Sequence, residues 1–191
     1  MYDRDNRPHQ SALRMARNSA PDCAYFVTKC VNRSVGPVFA ASECAKILAG
    51  SLIWARDNGW WRLLGFVIMP DHYHVGIGLG KVKTLPDAVR GIDQFVSTRV
   101  NSLLARSGNL WQAGYYEHLI RDRADFDTIL AYIHRSPVQA GLVVSDEEWP
   151  FSTANQKYSG EIDWEWLGPS LPPLVNTKYR FRPDAVPQRF H

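Results

Sequence analysis

The stretch Trp61-Arg62-Leu63-Leu64-Gly65-Phe66-Val67-Ile68-Met69-Pro70-Asp71-His72-Tyr73-His74-Val75-Gly76-Ile77-Gly78-Leu79 decides how this chain folds. Trp61 to Ile68 is an apolar run with β-branched and aromatic content, which reads as a strand stopped by Pro70. From His72 to Leu79 the pattern alternates. Strand side chains point to opposite faces in turn, so Tyr73, Val75, Ile77 and Leu79 share one face. His72, His74, Gly76 and Gly78 share the other. The four residues Ile68 to Asp71 form a tight connection, which predicts an antiparallel hairpin. Its apolar face belongs to a core. Its other face carries two imidazoles and then two glycines, which leave room above the sheet for a ligand or another backbone.

The flanking sequence supplies the other elements. Tyr25 to Val31 reads as a strand. From Ser42 to Asp57, Ile47, Leu48, Leu52 and Ala55 recur at helical spacing, and Asn58-Gly59 closes the helix. Pro86 suits the first turn of a second helix, carrying Val89, Ile92, Phe95, Val96 and Val100 and ending near residue 106. Trp111 to Ile120 is a further strand. Asp122 caps a third helix with Phe126, Ile129, Leu130 and Ile133, and Pro137 predicts its end near Arg135 or Ser136. This order predicts an α+β fold, a ferredoxin-like βαββαβ sandwich with a final helix, an antiparallel sheet and the helices on one face. Residues 1–22 read as an N-terminal arm with a short helix, Ser11 to Asn18. Residues 23–153 read as the domain, and 154–191 as an aromatic and basic extension.

Composition bounds the function. The chain has 191 residues, 45% apolar and 21% charged, enough for one domain that needs no disulfide or metal staple. That balance excludes a disordered or collagen-like chain. Cys23, Cys30 and Cys44 form no CxxC pair and read as thiols in a reducing compartment. The N-terminus has no signal-peptide pattern, and no run of eighteen apolar residues occurs, so the expectation is a cytoplasmic protein without membrane partners. A net charge of +3 permits a polyanionic partner without demanding one.

His72 and His74 could offer two nitrogens to one divalent ion. Candidates for a third position are Glu117, His118, Asp71 and groups on the helix after Asp122. Magnesium or manganese would favour oxygen there, with retained waters. Tyr132 is a candidate nucleophile, with Ser136 on the same helical face. Tyr115 and Tyr116 compete by type. Alternation puts only one of them on the histidine face, and spacing does not choose among the three. Lys81, Lys83, Arg90, Arg99, Arg106, Arg121, Arg123 and Arg135 could hold phosphates, and Trp60, Trp61 and Trp111 could stack bases.

Met69-Pro70-Asp71-His72-Tyr73-His74-Val75 resembles the Met-Pro-Asn/Glu-His-x-His signature of the single-tyrosine transposases of the IS200 type, and more narrowly their REP-associated group. Leu110-Trp111-Gln112, then Tyr115 to Arg121, then Tyr132 to Val143 and Trp149-Pro150-Phe151-Ser152 extend the likeness over about Tyr25 to Thr153. The resemblance implies a site in which His72 and His74 ligate Mg²⁺ or Mn²⁺ and Tyr132 is the nucleophile. Ser136 stands where the family usually has Asn or Gln near the metal, which implies a poorer ligand or a bridging water. The implied activity is metal-assisted cleavage and rejoining of single-stranded DNA near palindromic hairpins, through a 5′-phosphotyrosine link. The implied assembly is a monomer or a homodimer, associated with the nucleoid when bound to DNA. Lys81, Lys83, Arg99, Arg106, Arg121, Arg123 and Arg135 are the expected DNA contacts. Two other expectations stand beside it: a non-catalytic binder of structured DNA, and a metal-dependent phosphodiesterase with no covalent intermediate.

Overall fold

The computed structural model describes residues 19–167 and 181–186. The short helix expected over Ser11 to Asn18 lies outside them. The elements run β1 (Ala24–Cys30), α1 (Ser42–Asp57), β2 (Trp61–Met69), β3 (His72–Leu79), α2 (Leu85–Leu103), β4 (Tyr116–Ile120) and α3 (Arg123–Gln139). The sheet order is β2-β3-β1-β4, and every neighbouring pair is antiparallel. The βαββαβ sandwich with a following helix is therefore present.

The alternation of β3 divides the molecule. Tyr73, Val75, Ile77 and Leu79 enter the larger core with Tyr25, Val27, Leu63, Phe66 and Ile68, and α1 and α2 cover it through Leu48, Leu52, Ile92 and Val96. The third helix does not join them. It packs Phe126, Ile129 and Ile133 against Phe26, Leu64, Val67 and Met69 on the opposite face. The expectation of helices on one face thus holds for the two crossovers and is corrected for α3. The reason is apolar area, because Phe26, Val67 and Leu64 point away from α1 and α2 and need cover of their own.

Capping sets two helix starts. Thr84 Oγ1 accepts a hydrogen bond from Asp87 N at 3.3 Å, with Pro86 in the first turn. Asp122 Oδ1 accepts from Asp125 N at 2.8 Å. The second helix stops at Leu103, and Ala105 takes a left-handed φ of 48°. Arg106 is therefore not on the helical face of Arg99. The third helix passes Ser136 and carries Pro137 inside its last turn. A proline there forfeits one hydrogen bond, and the helix continues only to Gln139.

The fourth strand is shorter than expected, beginning at Tyr116. Trp111 makes only an isolated bridge with Val31. Between them, Lys29 Nζ donates to the carbonyls of Gln112 at 2.8 Å and Gly114 at 2.7 Å and pairs with Asp93 at 3.1 Å.

Residues 149–153 cover the outer edge of β2, where an exposed strand would invite further pairing. Trp149 Nε1 donates to Ile68 O at 2.9 Å, Ile68 N to Phe151 O at 2.9 Å and Phe66 N to Thr153 Oγ1 at 3.0 Å. Described residues beyond them also pack on the domain. Asp163 Oδ2 accepts from Leu63 N at 2.7 Å. Phe181 and Val186 are buried in the smaller core.

Candidate active site

Antiparallel pairing of β3 with β1 places Thr28 opposite His74 and Cys30 opposite His72. These four residues share the face covered by α3. The imidazole centroids of His72 and His74 are 4.7 Å apart. His72 Nδ1–H donates to Asp71 Oδ1 at 2.7 Å, because Asp71 lies in the hairpin turn and reaches back. His74 Nδ1 shares a 2.8 Å hydrogen bond with Thr28 Oγ1. With Nδ1 engaged by an oxygen, Nε2 is the nitrogen that carries the lone pair toward a metal. Burial, and then the neighbouring His72, hold the His74 imidazole well below its usual pKa, so it is neutral at pH 7.

Helix α3 lays Tyr132 over this pair. Its ring centroid is 5.2 Å from that of His74, 5.9 Å from Phe26 and 5.3 Å from Phe181. Burial pushes the Tyr132 phenol up to about 12, with smaller contributions from Tyr116 and Cys30. The three candidate tyrosines are thereby sorted by position. Tyr116 lies on the same face, edge-on to Phe26 at 6.1 Å. Tyr115 packs against the opposite core, hydrogen-bonds Glu117 and is raised mainly by burial.

The other candidates divide. Glu117 pairs with Val27 in register and so faces the α1–α2 side, away from the histidines. Strand alternation separates it from them. His118 is on the histidine face, opposite Phe26, but its Nε2 is bound to Asp125 Oδ2 at 2.9 Å. Burial would raise the Asp125 carboxyl; the bonds from His118, Phe181 N and Arg121 N hold it below its usual range instead. Ser136 is buried one turn past Tyr132 and donates its hydroxyl to Tyr132 O at 2.7 Å. His134, which alternates away from Tyr132, is 2.9 Å from Thr153 Oγ1.

The glycines of the histidine face do not leave room for a ligand. A Cβ on Gly76 would meet Leu64 at 3.5 Å and Ile133 at 3.8 Å, and one on Gly78 would stand 2.7 Å from the Trp166 ring. Protein fills both places.

The seven cations expected to contact DNA do not form one stripe. Arg121, Arg123 and Arg135 belong to the α3 side, where Arg123 pairs with Asp127 at 2.8 Å and Arg135 is exposed. Arg99 lies on α2 and Lys83 over Trp60, on the other side of the sheet. Lys81 pairs with Asp22 at 3.5 Å, and Arg106 bonds Asn101. Thr28, Cys30, Phe26 and Phe181 complete the site, although no sequence motif marks them. Only their pairing and packing brings them there.

Among the described residues no group of three His, Cys, Asp or Glu side chains could hold a metal ion. The donor set is two imidazoles, each braced at Nδ1, while the Ser136 hydroxyl is committed to the Tyr132 carbonyl. That set fits a divalent cation that keeps several waters and does not fit a closed four-ligand zinc. No helix of the described residues is long and apolar enough to cross a membrane.

Fold and site together define an α+β domain in which a helix lays one tyrosine against two histidines of a central strand. The chain belongs to the family described as "Transposase IS200 like", whose model matches residues 26–136, more than half of its length. It is 31% identical over 123 residues to a Haemophilus influenzae protein named as a candidate REP-associated tyrosine transposase, spanning 54% of this chain and 66%, just under two thirds, of that relative. It is 28% identical over 130 residues to a REP-associated tyrosine transposase of Escherichia coli K12, covering 64% of this chain and 73% of the relative. A solved REP-associated tyrosine transposase bound to a REP hairpin superposes with a TM-score of 0.60 at 22% identity, over 72% of this chain and 79% of that one. That likeness shows a shared fold.

Proposed function

We propose that this chain cleaves and rejoins single-stranded DNA beside palindromic hairpins, through a 5′-phosphotyrosine link on Tyr132. The observation that carries the reading is the Tyr132 ring 5.2 Å from the His74 ring, contributed by one and the same chain. The relatives' names and the hairpin held by the structural neighbour support the choice of DNA. All of these side chains come from a single copy, so the reading needs no partner subunit.

His72 and His74 would hold Mg²⁺ or Mn²⁺, with water or the Ser136 hydroxyl beside them. The chemistry such an ion supplies is neutralisation of charge at the phosphate and at the departing oxygen. The protein's own residues do the rest. Tyr132 rests as a phenol, since its pKa stands near 12. Its proton must leave as the new O–P bond forms. The 3′ oxygen departs, takes up a proton and becomes a free hydroxyl, while the 5′ phosphate stays on the tyrosine. The reverse attack by a 3′ hydroxyl restores both the strand and the phenol. Phe26 and Phe181 hold the phenol against His74 and exclude water from the link. Arg121, Arg123 and Arg135 flank this side and would position the DNA backbone.

The test is to incubate the protein with a hairpin that has a single-stranded flank, with Mn²⁺ or Mg²⁺, and resolve covalent protein–DNA adducts. An adduct mapped to Tyr132 and lost in Tyr132→Phe is the expected result. Nicking at an unchanged rate in Tyr132→Phe would identify a phosphodiesterase without a covalent step and refute the proposal. Tight binding without adduct or nick would identify a binder. The Ser136 hydroxyl donated to the Tyr132 carbonyl favours that second reading, because a residue so engaged is a weak third ligand.

A further inference from the structure

A groove opens between α1 and α2 on the outside of the helical layer, with the whole sheet between it and Tyr132. Its cavity is about 590 Å³, within the range of sites that enclose a molecule of nucleotide size. One wall is the α1 stripe Lys46, Gly50 and Trp54; the other is the α2 stripe Gly91, Phe95 and Arg99. Each stripe repeats every four residues and so runs along one helix face. Trp60 closes one end. Its ring rests on Gly91, where a Cβ would come within 2.8 Å, and stands edge-on to Trp54 at 5.2 Å. Since Gly91 and Trp54 share that end, Lys46 and Arg99 share the other, about 12 Å along the helices.

The lining is unusual for a protein surface. Trp54 and Phe95 are each 52% exposed, although the molecule has a full core to place them in. Cations stand at both ends. Lys83 Nζ lies 5.1 Å from the Trp60 ring and the Arg99 guanidinium 5.7 Å from the Phe95 ring. Among the described residues no carboxylate lines the cavity. Glu43 and Asp87 nearby are each paired, with Lys46 and Arg90. On α1 the wall is bare at Gly50, whose Cβ position meets nothing within 4 Å.

We infer that this groove is a second DNA contact, which stacks unpaired nucleobases on Trp54, Trp60 and Phe95 while Lys46, Lys83 and Arg99 receive their phosphates. Aromatic walls with cations at the ends match the π-faces and charges of a single strand. The inference rests on the reading of the chain as a DNA-processing protein. It adds a site outside the catalytic face, one that grips the flank of a hairpin while the other face reacts.

The test uses the full chain and two labelled probes, a blunt hairpin and the same hairpin with an oligothymidine flank. Binding is read by fluorescence anisotropy, and adduct formation is read at saturating DNA. Gly50→Leu fills the groove without touching the core, and leucine favours a helix more than glycine does. Trp54→Ala removes a stacking face. Each is expected to weaken the flanked probe about tenfold, as the loss of one base–aromatic stack does. Both should leave the blunt hairpin and the adduct yield at saturation unchanged. Arg99→Gln should lower the salt slope of the flanked probe by about one. Wild-type affinity for the flanked probe in both Gly50→Leu and Trp54→Ala overturns the inference and leaves the catalytic proposal standing. The same holds if those variants change only the oligomeric mass, which would make the groove a contact between copies. A wild-type protein that binds neither probe overturns both.

Discussion

The two faces of the sheet are built from the same strands and do different work. On the α1–α2 face every β3 side chain is apolar, and Leu48, Leu52 and Ile92 close over it. On the α3 face the same strand presents His72, His74 and two glycines, and the cover mixes aliphatic and aromatic side chains: Phe126, Ile129, Tyr132 and Ile133 of α3, with Phe181. The first face supplies burial energy. The second accepts polar groups, because each has a partner: Thr28 for His74, Asp71 for His72 and Asp125 for His118. The lesson is that a sheet can confine its chemistry to one side when the other carries the stability.

That division is open to breaking. The largest effect is expected from Tyr132→Phe. Adduct formation should fall at least about 10⁴-fold, with the melting temperature nearly unchanged since the ring stays. Loss of fold with loss of activity would mean that the two faces are not separable. Leu48→Ala, on the opposite face, should cost about 2–5 kcal/mol in denaturant unfolding. Adduct yield per folded molecule should hold.

A smaller effect should follow from Thr28→Val, which removes the oxygen bracing His74. Manganese titration of adduct formation should shift to concentrations about 10–100-fold higher. An unchanged midpoint would show that Thr28 does not orient the imidazole.

The smallest effect sharpens the comparison from the core side. Burial raises the Asp93 carboxyl to about 6, even though Lys29 stands 3.1 Å away and pulls it down. Asp93 Oδ1 meets no hydrogen-bond donor among the described residues. The folded chain therefore binds that proton more tightly than the unfolded chain does. Its contribution is fully present below about pH 4 and is lost as pH rises through 6. Wild-type stability relative to D93N should fall over that interval by on the order of 2 kcal/mol. A flat difference between the two melting series would contradict this.

Much of the fold was readable because its signals are local. The hairpin follows from an apolar run that stops at Pro70 and an alternating one that starts at His72, and Asn58-Gly59 ends the first helix where expected. The misses are equally specific. The third helix covers the face opposite the one expected, because nothing in its own periodicity says which apolar surface it buries. Pro137 reads as a stop, yet a helix tolerates it in a last turn where few bonds remain to lose. The glycines at 76 and 78 read as room for a ligand or another backbone. Ile133, Leu64 and Trp166 reach them from elsewhere in the chain.

The sequence by itself determined that His72 and His74 share a face, that Tyr73 does not, and that a helix follows Asp122. These are consequences of strand and helix repeats, which short stretches of backbone impose on their own. Spacing leaves Tyr115, Tyr116 and Tyr132 open and the family resemblance points to Tyr132; only the tertiary structure lays its ring against His74, braces that imidazole with Thr28 and returns Phe181 to cover the site. Those contacts join residues tens of positions apart, and they form where buried area and hydrogen-bond partners can be satisfied together.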